Sequence, residues 1–397
     1  MLLMLFYSIK SEVLIFKNKY NLTKKDVIKE MNGKITNIII KNISIIDDNA
    51  FNLYEFNIYP FNIYPFNIYP FNKYQNNIKS ITIHSSVESI GKNAFGSCSK
   101  LENVSFKGNS KLTKICNSAF IYCEELKSIS IPSSVKSIGE DAFRNCYKLE
   151  NVSFKGNSKL TKICNSTFHY CIELKSISIP SSVKSIGTEA FCDCLKLENI
   201  SFEKESKLTK IEEFAFAYCS NLKKIFFDES SKLKKIGNYS FLSCINLISI
   251  KLPSQFKEIS ANSFCNCSKL RSVTILSNIS IIDDSAFLNC YNLEHIQYFG
   301  IEEPNVSQKA FEGCKMLFYI YTNTNYLSKT FGTFFVKKKL KPLDFPASPK
   351  REPLKNGKIT IIVISGAIFI IIICVVLLFT FIRRKNHPNY NSISLSL

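Results

Sequence analysis

Residues 126–146 of this chain of 397 residues are LKSISIPSSVKSIGEDAFRNC, and the spacing of the apolar residues in this stretch decides the fold. The opening L-x-x-I-x-I has the alternation of a short strand, and the V-x-x-I that follows predicts a second extended segment. The closing G-x-x-A-F-x-x-C has the spacing of one helical turn. A unit of this size cannot bury its apolar side alone, so it needs neighbours of the same kind.

The same unit recurs along the chain. Residues 101–148 and 149–196 are identical at 40 of 48 positions, and each block contains two related units. One phenylalanine per unit marks the common frame: Phe95, Phe120, Phe143, Phe168, Phe191, Phe216, Phe241, Phe264, Phe287 and Phe311. A period of roughly 24 residues with this opening predicts a leucine-rich repeat. We expect a β-rich leucine-rich repeat solenoid, an α/β-type repeat of short strands and one-turn helices, followed by one C-terminal transmembrane helix.

Motifs and composition argue against a catalytic protein. The 13 glycines never have phosphate-loop spacing, the four histidines occur without H-E-x-x-H, and no G-x-S-x-G is present. We therefore predict no catalytic residues, no cofactor and no enzymatic activity. The formal net charge of +19 favours anionic partners such as membranes, acidic polysaccharides or nucleic acid.

Segments such as LKSISIPSSVKSIGEDAFRNC resemble the BspA-like leucine-rich repeat family of surface proteins, and the resemblance covers residues 78–320. It implies a non-catalytic cell-surface protein that adheres to or recognises host, matrix or glycan ligands. The implied partners are extracellular or host-surface proteins or anionic glycans. Turns at 106–115, 154–163, 202–211 and 227–236 depart from the pattern, because a longer loop rich in Lys and Ser replaces the Ile-Pro-Ser-Ser loop.

The chain divides into segments of distinct composition. Thr23 and Asp26 have the spacing of a capping box, which predicts a short helix that Gly33 would end. The prolines of FNIYPFNIYPFNIYPFNKY, at 56–74, exclude a central strand, so this stretch should loop out of the stack. The predicted segments are a poor secretory signal (1–11), an N-terminal cap with a degenerate repeat (12–55), the FNIYP insertion (56–77), the solenoid (78–320), a C-terminal cap with a Pro- and Lys-rich stalk (321–358), a transmembrane helix (359–382) and a tail (383–397).

The transmembrane prediction rests on the segment 359–382, which carries no charged residue and is long enough to cross a bilayer as a helix. The basic residues at 383–385 would hold the tail in the cytosol, but basic residues are more numerous on the other flank. Two arrangements stay open: a single-pass plasma-membrane protein with its repeats outside, and a tail-anchored scaffold with its repeats in the cytosol. In the tail, Tyr390 and Ile393 are similar to a Tyr-x-x-bulky sorting signal.

Ten of the fifteen cysteines occupy one column of the repeat: Cys98, Cys123, Cys146, Cys171, Cys194, Cys219, Cys244, Cys267, Cys290 and Cys314. A small apolar thiol suits a buried turn, so core packing is the predicted role, although an oxidised ladder is sterically conceivable. No C-x-x-C occurs, and the C-x-C pairs have no histidine at metal-site spacing, so we predict no metal site. His169 aligns with Ile121 of the duplicated block, which argues against a catalytic histidine.

The outward positions of L-x-x-I-x-I define a face that we expect to be concave. Its first column alternates Lys and Glu over most of the array, so neighbouring turns should form favourable pairs. Its next columns are mostly Ser, Asn and Thr, and Ser130, Ser153 and Ser178 are candidate ligand contacts there. A merely solvated sheet is the alternative.

The excess lysines recur in the longer loops of alternate turns. The candidates for binding an anionic ligand are Lys111, Lys114, Lys159, Lys162, Lys207 and Lys210, whose charges have no partner within the repeat. A lysine-rich edge that only confers solubility is the alternative. Nucleic acid is disfavoured because no aromatic residues interleave with these lysines.

Overall fold

The computed structural model describes residues 13–31, 35–52, 77–228 and 230–340, which form a β-solenoid of about 12 turns. The predicted leucine-rich repeat solenoid is therefore confirmed. Each regular turn contributes one strand to each of two parallel ladders and then passes through a set of tight turns. We name these three sides the long-strand face, the short-strand face and the turn face.

The N-terminal cap contains β1 (Val13–Leu22), α1 (Lys24–Glu30) and β2 (Asn37–Ile46). The predicted capping box is present: the Thr23 side chain accepts the Asp26 N–H, and the Asp26 carboxylate accepts the Thr23 N–H. The helix ends at Glu30, with Met31 as its C-cap, earlier than the glycine expected to end it. β1 and β2 are long because each pairs along its whole length in one parallel register.

The long-strand face consists of strands in which buried Ile or Val alternates with polar residues. They are β3 (Ser80–Ile83), β5 (Asn103–Phe106), β7 (Ser128–Ile131), β9 (Asn151–Phe154), β11 (Ser176–Ile179), β13 (Asn199–Phe202), β15 (Lys224–Ile225), β17 (Ser249–Leu252), β19 (Ser272–Ile275), β21 (His295–Tyr298) and β23 (Ile320–Asn323). Each pairs in parallel with the next turn, as Ile129 with Val152 and Ser130 with Ser153. The alternation thus places the apolar residues inside and the serines outside.

The short-strand face is a second parallel ladder of two-residue strands. They are β4 (Ser89–Ile90), β6 (Lys114–Ile115), β8 (Ser137–Ile138), β10 (Lys162–Ile163), β12 (Ser185–Ile186), β14 (Lys210–Ile211), β16 (Lys235–Ile236), β18 (Glu258–Ile259), β20 (Ile281–Ile282) and β22 (Asn305–Val306). β2 serves both ladders, because residues 37–40 pair with β3 and residues 45–46 pair with β4.

The turn face is made of tight turns, so the predicted one-turn helices were wrong. Alternate N–H groups bond to the next turn, as from Phe120 to the Ala142 carbonyl at 2.8 Å. The intervening N–H groups bond three residues back, as from Cys123 to the Phe120 carbonyl at 3.3 Å. Ser118 and Tyr122 have φ of 56° and 57°, in the left-handed region that interrupts a helix. Apolar residues spaced three and four positions apart are compatible both with a helical turn and with these tight turns. The hydrogen bonds to the neighbouring turn favour the tight turns.

A column of stacked phenylalanines fills the core behind the turn face. Eleven rings, from Phe51 to Phe311, lie with successive centroids 4.9–5.5 Å apart. Phe16 meets the first ring at 77° and Phe334 meets the last at 88°. An edge-on ring therefore closes each end of the column, where another turn would otherwise stack.

The C-terminal end is closed by a hairpin of β24 (Thr330–Phe331) and β25 (Phe334–Leu340). β25 pairs antiparallel with β24 and parallel with β23, so it covers the last open strand of the long-strand face. Gly332, at φ +60°, makes the tight reversal between the two strands.

Within the described part of the chain, no helix has the length and apolar character needed to span a bilayer. The predicted transmembrane segment 359–382 lies outside the described residues, as do the segment 1–11, nearly all of the FNIYP insertion, and the tail with Tyr390 and Ile393.

Candidate ligand-binding surfaces

The longer loops hold their lysines outward by a simple local arrangement. In the first loop the Ser110 hydroxyl accepts the Leu112 N–H at 3.2 Å, and the Leu112 side chain is fully buried. Lys111 lies between these two anchored residues and is exposed. The same Ser-Lys-Leu geometry recurs three times, which exposes Lys159, Lys207 and Lys232. The fourth of these lysines was not among the predicted candidates.

The six predicted lysines do not all carry an unpaired charge. Lys111, Lys114, Lys159, Lys162 and Lys207 are exposed. The ammonium of Lys210, in contrast, lies 2.7 Å from the Glu212 carboxylate, and this side chain is 43% exposed. The expectation of an unpaired charge is wrong for Lys210 because Glu212 stands where the two earlier copies have a cysteine.

The sequence patterns did not single out a second set of lysines that lies between the predicted ones. Lys136, Lys184, Lys234 and Lys257 directly precede short strands and are exposed. Their backbones are in register with the longer loops, since the Lys136 N–H donates to the Thr113 carbonyl at 2.8 Å. An alignment of V-K-S-I with L-T-K-I in adjacent turns would have revealed Lys136 and Lys184, because lysine moves by one position between the two, whereas Lys234 and Lys257 stand in L-K-K-I and F-K-E-I.

Together these lysines form what we call the lysine ridge, with one lysine from each of seven consecutive turns of the short-strand face: Lys114, Lys136, Lys162, Lys184, Lys210, Lys234 and Lys257. With strands about 4.8 Å apart, the ridge extends about 30 Å. Among the described residues an ion pair occupies one of these seven, Lys210, and on the same face the neighbouring Lys235 pairs with Glu258 at 2.5 Å. Neighbouring like charges repel, so the ridge has a positive field that an anionic chain would relieve.

The long-strand face is electrically balanced, as its alternating column predicts. Lys127, Lys175 and Lys223 each approach a glutamate of the preceding turn, with N···O distances of 2.9, 2.7 and 2.9 Å. The hydrogen bond from Lys127 lowers the pKa of the Glu102 carboxyl below its usual range. Of the predicted serines on this face, Ser130 is half-buried, whereas Ser153 and Ser178 are exposed. They lie in one column, beside charges that already have partners.

The cysteine column belongs to the core, as predicted. All ten thiols are buried, and each lies within hydrogen-bond range of the phenylalanine carbonyl of the preceding turn, at 3.1–3.9 Å. Burial raises the pKa of thiols such as Cys171, so they are poor nucleophiles. None of the fourteen cysteines among the described residues forms a disulfide.

The turn face brings together three potential metal ligands that no spacing rule predicted. His169, Cys192 and Asp193 place one ligand atom each within 4.8 Å of the others. Burial, together with the carboxylates of Asp193 and Glu189, raises the pKa of the Cys192 thiol. The signal in the sequence is positional: His169 and Cys192 each follow a column phenylalanine, one turn apart.

The chain is similar to known leucine-rich repeat proteins. A family model described as "BspA type Leucine rich repeat region" matches in six copies over residues 4–98, 66–198, 137–260, 184–318 and 234–351. Among solved structures, a leucine rich cell surface protein of Faecalibacterium prausnitzii is 23% identical over 80% of this chain and 92% of that chain, with a TM-score of 0.37. A leucine-rich repeat protein of Bacteroides ovatus is 22% identical over 76% and 92%, with a TM-score of 0.47.

A leucine rich repeat protein of T. pallidum is 28% identical over 48% of this chain and 78% of that chain, with a TM-score of 0.39. A search of curated proteins finds no match.

Proposed function

The chain belongs to the BspA-type leucine-rich repeat family, and on this premise we propose that it is a non-catalytic recognition protein of the cell surface, held by one C-terminal helix with its repeats outside. Its ligands are anionic glycans or anionic host-surface or matrix proteins. The observation that carries the proposal is the lysine ridge, which presents one lysine from each of seven consecutive turns.

The ridge suits a polymer better than a small molecule. Each exposed charge contact contributes about 0.5 kcal/mol, so a ligand that touches one lysine binds weakly. A polymer that lies along the solenoid axis meets a lysine about every 4.8 Å and gains from many contacts at once. Because these contacts are exposed, salt should weaken them strongly.

The long-strand face offers a weaker field for the same ligand. Its lysines are paired with glutamates of adjacent turns, so an anion would have to displace a carboxylate at each step. Its serines could still hydrogen-bond an uncharged glycan or a protein. The two faces are therefore distinguished by the charge of the ligand and by salt dependence.

A binding assay with matched variants tests the proposal. Replacing Lys136, Lys162 and Lys184 of the full chain with Gln should weaken binding to heparin, a sulfated polysaccharide probe, by about tenfold and flatten its salt dependence. The control replaces Lys127, Lys175 and Lys223 with Gln, which removes the same formal charge from the long-strand face. It should change binding much less. Equal losses in both variants would refute a specific role for the ridge.

The result would favour the long-strand face if dextran bound the ridge variant but no longer bound a variant in which Ser130, Ser153 and Ser178 were replaced by Gln. Side chains of that size would block the exposed column while leaving its charge unchanged. Dextran, an uncharged polysaccharide, serves as the probe for this arm, because binding there would not depend on the lysines.

The membrane arrangement is a separate part of the proposal. External trypsin should digest the repeats on intact cells, whereas the 383–397 tail, with Tyr390 and Ile393 as a sorting signal, should survive. The second candidate is a tail-anchored scaffold with cytosolic repeats, an arrangement that would suit the buried cysteine column because a reducing compartment keeps thiols from forming disulfides. Full protection of the repeats from external trypsin would overturn the surface arrangement in favour of this second candidate.

A further inference from the structure

The cluster at His169 lies on the turn face and joins two adjacent turns. The His169 side chain comes from one turn, and Cys192 and Asp193 come from the next. The imidazole is 9% exposed, and its Nδ1 atom is buried without a hydrogen-bond partner. A buried ring nitrogen with no partner is unusual in a folded protein, because it has lost its bonds to water. Glu189 Oε2 lies 3.4 Å from this nitrogen, so a proton on Nδ1 would point to that carboxylate and leave Nε2 free to bind an ion.

Two of the three ligand separations are close to those around a shared ion, and all three ligand atoms lie within 4.8 Å of one another. His169 Nε2 lies 3.5 Å from Asp193 Oδ2, which is too long for a good hydrogen bond. The Cys192 thiol donates a hydrogen bond to the same oxygen at 3.2 Å, and an ion bound between the two would displace the thiol proton. A tetrahedral zinc ion, with Zn–S of about 2.3 Å and Zn–N of about 2.0 Å, separates its ligand atoms by about 3.2–3.6 Å.

The surroundings of the cluster also fit a cation. Glu189 Oε2 lies 3.4 Å from His169 Nδ1, where a carboxylate can orient a metal-bound imidazole. Tyr170 stacks on His169, with ring centroids 4.4 Å apart, and fixes the plane of the ring. Arg144 of the preceding turn is not free to pair with the cluster's carboxylates, because its guanidinium lies 3.3 Å from the Asp141 carboxylate.

The internal duplication gives an independent observation. Residues 101–148 and 149–196 differ at only eight positions, and four of the eight supply this cluster. Where the second copy has His169, Glu189, Cys192 and Asp193, the first copy has Ile121, Asp141, Arg144 and Asn145. Divergence between two otherwise nearly identical copies has thus assembled three ligand types at one point.

We propose that His169 Nε2, Cys192 Sγ and Asp193 Oδ2 bind one divalent transition-metal ion of the zinc class, with Glu189 as the carboxylate that orients the imidazole. Thiolate, imidazole and carboxylate together favour zinc over calcium or magnesium, which prefer oxygen ligands. Three protein ligands leave a fourth position for water or a ligand group. The Glu189 side chain beside the imidazole is 41% exposed, so solvent reaches this edge of the cluster.

Titration of the metal-free full chain with Co²⁺, purified in detergent with a non-thiol reductant, tests the assignment. One equivalent should produce a thiolate-to-cobalt charge-transfer band, and Zn²⁺ should displace it. Cys192→Ser should abolish the band, and His169→Ala should weaken binding by more than about 100-fold. Glu189→Gln should weaken binding by about 10- to 100-fold, the range for a residue that orients a ligand.

The matched control is Cys265→Ser. Cys265 also follows a column phenylalanine and is 6% exposed, but leucines occupy the same position in both adjacent turns. This variant should keep the full band. Absence of a charge-transfer band at one equivalent, or equal loss of the band in Cys265→Ser and Cys192→Ser, would overturn the proposal.

Discussion

Removing one ring from the middle of the phenylalanine column should both destabilise the solenoid and divide it. Phe143 is completely buried, and its ring centroid lies 5.3 Å from Phe120 and 5.5 Å from Phe168. Phe143→Ala therefore loses the burial of a whole ring and leaves a cavity between two others. Truncations of this kind lower the free energy of unfolding by about 3–5 kcal/mol, which includes about 0.5–1.5 kcal/mol for each lost ring pair.

The position of the cavity matters because each turn contacts only its neighbours. A defect at Phe143 weakens the interface between the turns on its two sides, so those two parts should no longer unfold together. Urea denaturation followed by far-ultraviolet circular dichroism should change from one transition to two. Hydrogen exchange measured by mass spectrometry should show the largest loss of protection in the turns that contain Phe120 and Phe168.

Two further variants make the result interpretable. Phe143→Leu keeps most of the volume and should cause a smaller loss with one transition. Phe311→Ala acts at the last ring of the column, which is already 8% exposed, so it should affect mainly the C-terminal turns. A loss below about 1 kcal/mol for Phe143→Ala, or an equal loss of protection in every turn, would contradict the reasoning.

Three other predictions concern thiols, charge pairs and glycines. Iodoacetamide should label Cys116 and Cys164 in the native protein, as mapped by mass spectrometry, because the other described cysteines are buried; rapid labelling of the column would contradict this. The hydrogen bond from Lys175 lowers the pKa of the Glu150 carboxyl. The ion pair therefore stabilises the fold fully at a pH above the ordinary glutamate pKa of about 4.5, and this stabilisation is lost as the pH falls through the lowered pKa. Melting temperatures of wild type and Glu150→Gln should thus differ slightly at neutral pH and converge in acid. Gly139→Ala should lower the melting temperature because its Cβ would overlap the backbone of Asn117, whereas Gly156→Ala, with nothing within 4 Å, should leave it unchanged.

The regular part of the fold follows from spacing alone. One phenylalanine in each unit, followed three positions later by cysteine, places both residues in the core of every turn, and the rings and thiols are found there. The backbone structure of the turn face could not be predicted from this spacing. Its hydrogen bonds join neighbouring turns, so no pattern within one repeat reveals them. The same limit explains the metal cluster, since His169 and Cys192 belong to different units and become neighbours only when turns stack.

Ion pairs could be predicted from the sequence where both partners occupy the same column of the repeat. The pairing of Lys127 with Glu102 follows from alternation in adjacent turns. Lys210 differs because its partner, Glu212, lies on its own turn at a position that is cysteine in the earlier copies. The lysine ridge was recognised only in part, because from Lys114 to Lys234 its members shift by one position between successive turns.

The two edge-on rings at Phe16 and Phe334 have a genetic consequence. Because end closure depends only on the terminal turns, unequal recombination between the two nearly identical blocks, 101–148 and 149–196, can insert or delete a whole pair of turns without disturbing either terminus. Each inserted pair would lengthen the molecule by about 10 Å. It would also add two lysines to the lysine ridge in frame. Strains could therefore differ in the reach of this protein by discrete steps, as alleles of one gene.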